Sequence, residues 1–162
     1  MVDSVKNNVT WRAIPIAGFI GSIVFLALIM ILNPILNNVD SFFILRYFAS
    51  IVQGSEALVD ESVLTLIIGI ATHIVLSIFF ALVIAIVIHR WGLIVGIVGG
   101  SILGLAFYSI NFYTMTVFFP WMAAIDTPLL IAGHVVFGAV TGGIYESLDN
   151  YDTDLIDQGE AS

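Results

Sequence analysis

Four stretches of this chain run for roughly twenty residues without Asp, Glu, Lys or Arg, and no other feature limits its fold as severely. They are Pro15 to Leu32 ("PIAGFIGSIVFLALIMIL"), Val63 to Ile88, Leu93 to Phe118 and Pro128 to Tyr145. About twenty helical residues cross the roughly 30 Å of hydrocarbon in a bilayer, and there every backbone N–H and C=O must be satisfied within the segment. The soluble alternative fails on its surface. Hydrophobic residues make up 60% of the chain and charged ones 10%, so four basic and twelve acidic side chains would have to cover a 162-residue domain. The expected fold is all-α, an integral membrane four-helix bundle over residues 1–147 with an acidic tail at 148–162.

Local signals fit these limits. Pro15 suits a first helical turn, and Asp126 or Thr127 can cap the fourth helix. The first run is too long for a signal-peptide core and lacks an obvious small-residue cleavage site, so it reads as a retained anchor. With no cysteine in the chain, disulfides, thiolate chemistry, iron–sulfur clusters and cysteine zinc sites are excluded. A net charge of −8 argues against a nucleic-acid partner. The segment "GIVGGSILG" lies mid-helix without the Lys and Ser or Thr of a phosphate loop. The acids sit in connections and tail, with no serine–histidine pair beside them, and no enzyme constellation emerges.

Basic residues orient the chain. Lys6 and Arg12 precede the first helix, Arg90 lies in the turn between the second and third, and Arg46 alone falls on the opposite side. That asymmetry places both termini in the cytoplasm of a cell (inner or plasma) membrane. Trp11 and Trp91 fall at the inner boundary and Trp121 at the outer, as in an aromatic belt. The long connection 33–62 contains "SFFILRYFASIV" (41–52), which reads either as a short helix on the outer leaflet or as a lid over the bundle. The final "ESLDNYDTDLIDQGEAS" carries six acids and no base, and reads as a solvated tail.

Two internal resemblances point to duplication. "IATHIVLS" (70–77) returns as "IAGHVVFG" (131–138), and "GSIVFLALIMI" (21–31) as "GSILGLAFYSI" (100–110). Helix one then matches helix three, and helix two matches helix four. A two-helix unit crosses an even number of times, so the expected arrangement is a parallel repeat about a pseudo-two-fold along the membrane normal. His73 and His134 become equivalent positions at similar depth, and Asn111 reaches that level from the third helix. Polar groups in hydrocarbon must face inward and find partners. These three form a candidate intramembrane polar site.

The blandest role for that site is a hydrogen-bonded layer that fixes helix register, with no cofactor. Sharper alternatives are haem b held by His73 and His134 as axial ligands, or a proton-responsive switch. No basic pair stands ready for haem propionates, and no third histidine or intramembrane carboxylate completes a divalent metal site. Gly96, Gly100, Gly104, Gly138 and Gly142 form small-residue stripes that let helices approach closely, and these serve equally within the bundle or in a homodimer or larger complex.

The segment "THIVLSIFFA" (72–81), Trp91-Gly92, Phe119-Pro120 and Gly133-His134 resemble the YagU-type family of small bacterial inner-membrane proteins. The resemblance covers the last three helices. It implies a multi-helix inner-membrane protein linked to acid-stress tolerance, and it brings no catalytic residues. The functional expectation is a non-enzymatic, stress-associated multi-pass protein in the lipid bilayer. A haem electron carrier and a channel or transporter subunit are the rivals.

Overall fold

The computed structural model of the chain describes residues 9–89, 91–125 and 128–160. Five α-helices carry the described residues: α1 (Ala13–Asn37), α2 (Phe43–Gln53), α3 (Val63–Ile88), α4 (Leu93–Phe118) and α5 (Pro128–Glu160). Short 3-10 turns at Ser55–Leu58 and Pro120–Ile125 complete the connections. Helices α1, α3, α4 and the first 22 residues of α5 are long and apolar enough to span a bilayer. The chain is a multi-pass, four-helix membrane bundle. Both ends of the described chain lie at one end of it, the terminal end, and α2 covers the other, the lid end. The basic residues Lys6 and Arg90 and the caps Asp126 and Thr127 lie outside the described residues.

Each boundary has a local cause. Asn38, at φ 53°, ends α1 in the left-handed region, its N–H bonding to the Asn33 carbonyl. Ser62 caps α3 by accepting from the Thr65 N–H (3.3 Å), and Asp60 accepts from the Ser62 N–H (2.9 Å) and the Thr65 hydroxyl (2.5 Å). Three hydrogen bonds, led by the one from Thr65, hold the Asp60 carboxyl below its usual pKa. Gly92, at φ +86°, makes the tight turn from α3 into α4, a backbone position that a side chain would strain.

Helix α4 lies against α5 along the glycine stripe. A Cβ on Gly100 would come 2.1 Å from the Gly138 carbonyl oxygen, one on Gly142 2.1 Å from that of Gly96, and one on Gly104 2.1 Å from that of His134. Only glycine permits this backbone-on-backbone approach, which maximises dispersion contact where no hydrophobic drive exists. The stripe is therefore used inside the chain. On the opposite hairpin, Gly18 of α1 sits against Ser77, Ile78 and Ala81 of α3. Helix α1 also packs on α5, whereas α3 and α4, though consecutive, meet only sparsely. A wedge separates them.

One expectation changes. Helix α5 does not stop at Tyr145 but continues to Glu160, and Glu146 and Asp149 are buried rather than solvated. No Gly or Pro interrupts positions 144–158. At its near end, this extra length finds partners that hydropathy cannot reveal. The Glu146 carboxylate accepts from the Gly92 N–H (2.7 Å) at the start of α4. Asp149 accepts from the Thr10 hydroxyl, and the Tyr145 hydroxyl accepts from the Thr10 N–H (3.2 Å). Of the two readings open for α2, its packing is that of a lid. Ile44, Leu45, Ala49 and Ser50 are buried, and a Cβ on Gly69 of α3 would meet the Leu45 carbonyl oxygen at 2.0 Å. Val52 near its end and Phe42 just before its start stay exposed to the surroundings.

Candidate functional site

The two histidines meet at one aromatic ring. The Phe25 ring of α1 lies 4.9 Å, centroid to centroid, from the imidazole of His73 and 5.2 Å from that of His134. Both therefore face the bundle interior at the level of Phe25. Phe48 of the lid closes over His73 at 4.3 Å, and Tyr108 of α4 stands edge-on to His134 at 5.5 Å.

Their chemistry differs. His73 is 5% exposed and held by protein groups: its ring bonds to the Ser22 carbonyl of α1, and its Nε2 is 3.5 Å from the Ser77 hydroxyl. His134 is only half-buried, and its Nδ1 is 2.8 Å from the Leu130 carbonyl oxygen one turn back. A carbonyl can only accept, so Nδ1 carries the proton and Nε2 of the neutral ring is a bare acceptor. Nε2 has no hydrogen-bond partner among the described residues.

His134 and Asn111 line two neighbouring cavities at the lid half of the bundle. The larger, about 60 Å³, extends between Tyr47 and Phe48 of the lid and Tyr108, Phe112 and Met115 of α4. The smaller, about 40 Å³, reaches His73, Ser77 and Phe107 in the wedge between α3 and α4. A water needs roughly 10–15 Å³ of such space and two or more polar partners, so both cavities suit water. Burial raises the pKa of Tyr47 to about 12, which keeps it a neutral phenol.

Toward the terminal end the interior closes. Ala17, Ala81, Ile84, Ala85, Ile88 and Tyr145 are at most 1% exposed. The Ser22 and Thr141 hydroxyls are buried there without a hydrogen-bond partner among the described residues. Below them, Glu146 bonds the start of α4. The polar groups of the two ends are not joined by a described cavity.

Haem was a sequence-level alternative for His73 and His134, and the geometry does not fit it. Phe25 packs against both imidazoles where a macrocycle would have to lie. The cavities are far smaller than the 300–1,000 Å³ of ordinary cofactor pockets, and no basic residue lines them. Nor does any group of three or more His, Asp or Glu among the described residues offer a metal site. Of the residues singled out by sequence, the structure gathers His73, His134 and Asn111 around two adjoining cavities. It adds Phe25, Phe48, Tyr47 and Ser22, which sequence reasoning missed. An aromatic residue in an apolar helix carries no signal until the helix faces are known. Comparison with family models, with curated proteins and with solved structures finds none that matches this chain.

Proposed function

We propose that the protein is a non-enzymatic multi-pass membrane protein whose lid half binds a small ligand in a pocket formed by His134, Asn111 and their aromatic neighbours. One observation carries this reading: His134, whose Nδ1 is committed to Leu130 and whose Nε2 is left as an acceptor, lines two adjoining cavities together with Asn111. A channel or transporter subunit is less well supported, because the interior closes below Ser22. The basic-residue asymmetry orients the termini toward the cytoplasm and the lid outward. The pairing of α1 with α3 and of α4 with α5 is compatible with a duplicated hairpin, with His73 and His134 as its equivalent, diverged positions.

The absence of native cysteine makes the test clean. Asn111→Cys, Ser22→Cys and Thr141→Cys are reconstituted and treated with a small thiol reagent that enters both water and lipid. The pocket reading expects Asn111→Cys to react and the other two to stay protected. Protection at all three positions refutes an accessible pocket, and reaction at Thr141→Cys refutes the closed floor in favour of a through-path.

A further inference from the structure

Resting on that pocket, we infer the chemical class of its ligand: a membrane-dissolved molecule bearing a phenolic or hydroquinone hydroxyl, which donates to Nε2 of His134. Three features lead there. With Nδ1 committed to Leu130, His134 offers only an acceptor, so its partner must bring an O–H or N–H donor. The walls around it are aromatic and soft, with Phe25, Phe48, Phe80, Phe112 and Met115, and such surfaces favour a ring through edge and face contacts. The Asn111 amide, lining both cavities, supplies a donor and an acceptor for a second oxygen on that ring.

The approach route is equally specific. Helix α3 is packed on α1 and α2, and α4 on α5, so the sparse α3–α4 seam, bridged by the Phe80 and Phe107 rings at 4.6 Å, is the least closed side of the bundle within the apolar span. The smaller cavity lies along it between Leu76 and Phe80 on one side and Phe107 and Asn111 on the other. By this route a ligand from lipid would reach His134 as the Phe80 and Phe107 rings part, without passing through water. Size sets the pose. An enclosed cavity of roughly 150 Å³ holds a benzene ring, and the larger space here is about 60 Å³. The hydroxyl and one ring edge are therefore enclosed, and the rest of the ring and any alkyl tail lie in the wedge.

The test uses the full chain in phosphatidylcholine nanodiscs, with Trp11→Phe and Trp91→Phe so that Trp121 is the sole tryptophan. Trp121 donates to Ser50 of the lid at 3.2 Å and neighbours Met122 in the wall of the larger cavity. The probes are an alkyl hydroquinone and its dimethyl ether, which has the same ring and tail but no donor. Saturable change in Trp121 emission with the hydroquinone, at least tenfold weaker with the ether and lost in His134→Phe, supports the assignment. Equal saturable binding of the two overturns the hydroxyl class but leaves a pocket for rings. No saturable response to either overturns the pocket as well. Met115→Trp, read by displacement of a radiolabelled alkyl hydroquinone, fills the cavity without touching His134. It should abolish binding with helix content unchanged, and binding that survives it would place the ligand elsewhere.

Discussion

Adding one methyl group to Gly100 should part α4 from α5. The new Cβ would lie 2.1 Å from the Gly138 carbonyl oxygen and 2.9 Å from its carbon, whereas ordinary contact begins at 3.4 Å. Neither neighbour is a flexible side chain, so the helices must separate by roughly 1 Å, which forfeits a quarter to a half of the dispersion well at each contact along the stripe. Forced overpacking of this kind costs about 1–3 kcal/mol, against a helix-propensity gain of up to about 1 kcal/mol for Ala over Gly. Gly100→Ala is therefore expected to be net destabilising by about 1–2 kcal/mol. Gly99→Ala is the control on the next residue. Its Cβ meets only the Ile88 Cγ2, at 3.3 Å, and should change stability by no more than about 0.5 kcal/mol in either direction. Reversible unfolding in mixed micelles measures both, and adding Gly138→Ala to Gly100→Ala should cost less than the sum of the two single changes. A Gly100→Ala variant as stable as Gly99→Ala would refute the backbone-contact argument.

Other consequences are sharp enough to check. Gly69→Val would drive a side chain into the Leu45 carbonyl, 2.0 Å from the Cβ position, and lift α2; thiol labelling of Asn111→Cys in that background should speed up severalfold at unchanged helix content. Glu146→Ala leaves the Gly92 N–H without its acceptor and should cost about 1–3 kcal/mol in the same unfolding assay. Asp60 titrates below the ordinary carboxylate value of about 3.9, so its stabilisation is complete above that pH and is lost as pH falls through the lower folded-state value. Hydrogen exchange at the first turn of α3 should therefore accelerate only below about pH 4, and Asp60→Asn should remove the pH dependence.

How much of this was legible in the sequence depends on which physical term dominates each part. The limits of α3 and α4 follow from hydropathy because insertion into hydrocarbon depends on unbroken apolar runs. The glycine stripe announced close packing, but its partner could not be read, since a helix face and a dimer face demand the same small residues. Glu146 and Asp149 were assigned to solvent because composition counts charge, while burial depends on whether Gly92 and Thr10 reach them. His73, His134 and Asn111 stood out as polar groups in apolar surroundings. The difference between the two histidines did not, for it rests on one hydrogen bond to Leu130 and on the shape of the space beyond.

The measurement closest to the core of this account is magic-angle-spinning NMR of the full chain in lipid bilayers, with ¹⁵N-labelled histidine and ¹³C-labelled phenylalanine. Through-space correlations from the Phe25 ring to both the His73 and His134 imidazoles are expected, with Nδ1 of His134 protonated and Nε2 bare. A Phe25 ring that contacts only one imidazole, or a His134 protonated at Nε2, would contradict it.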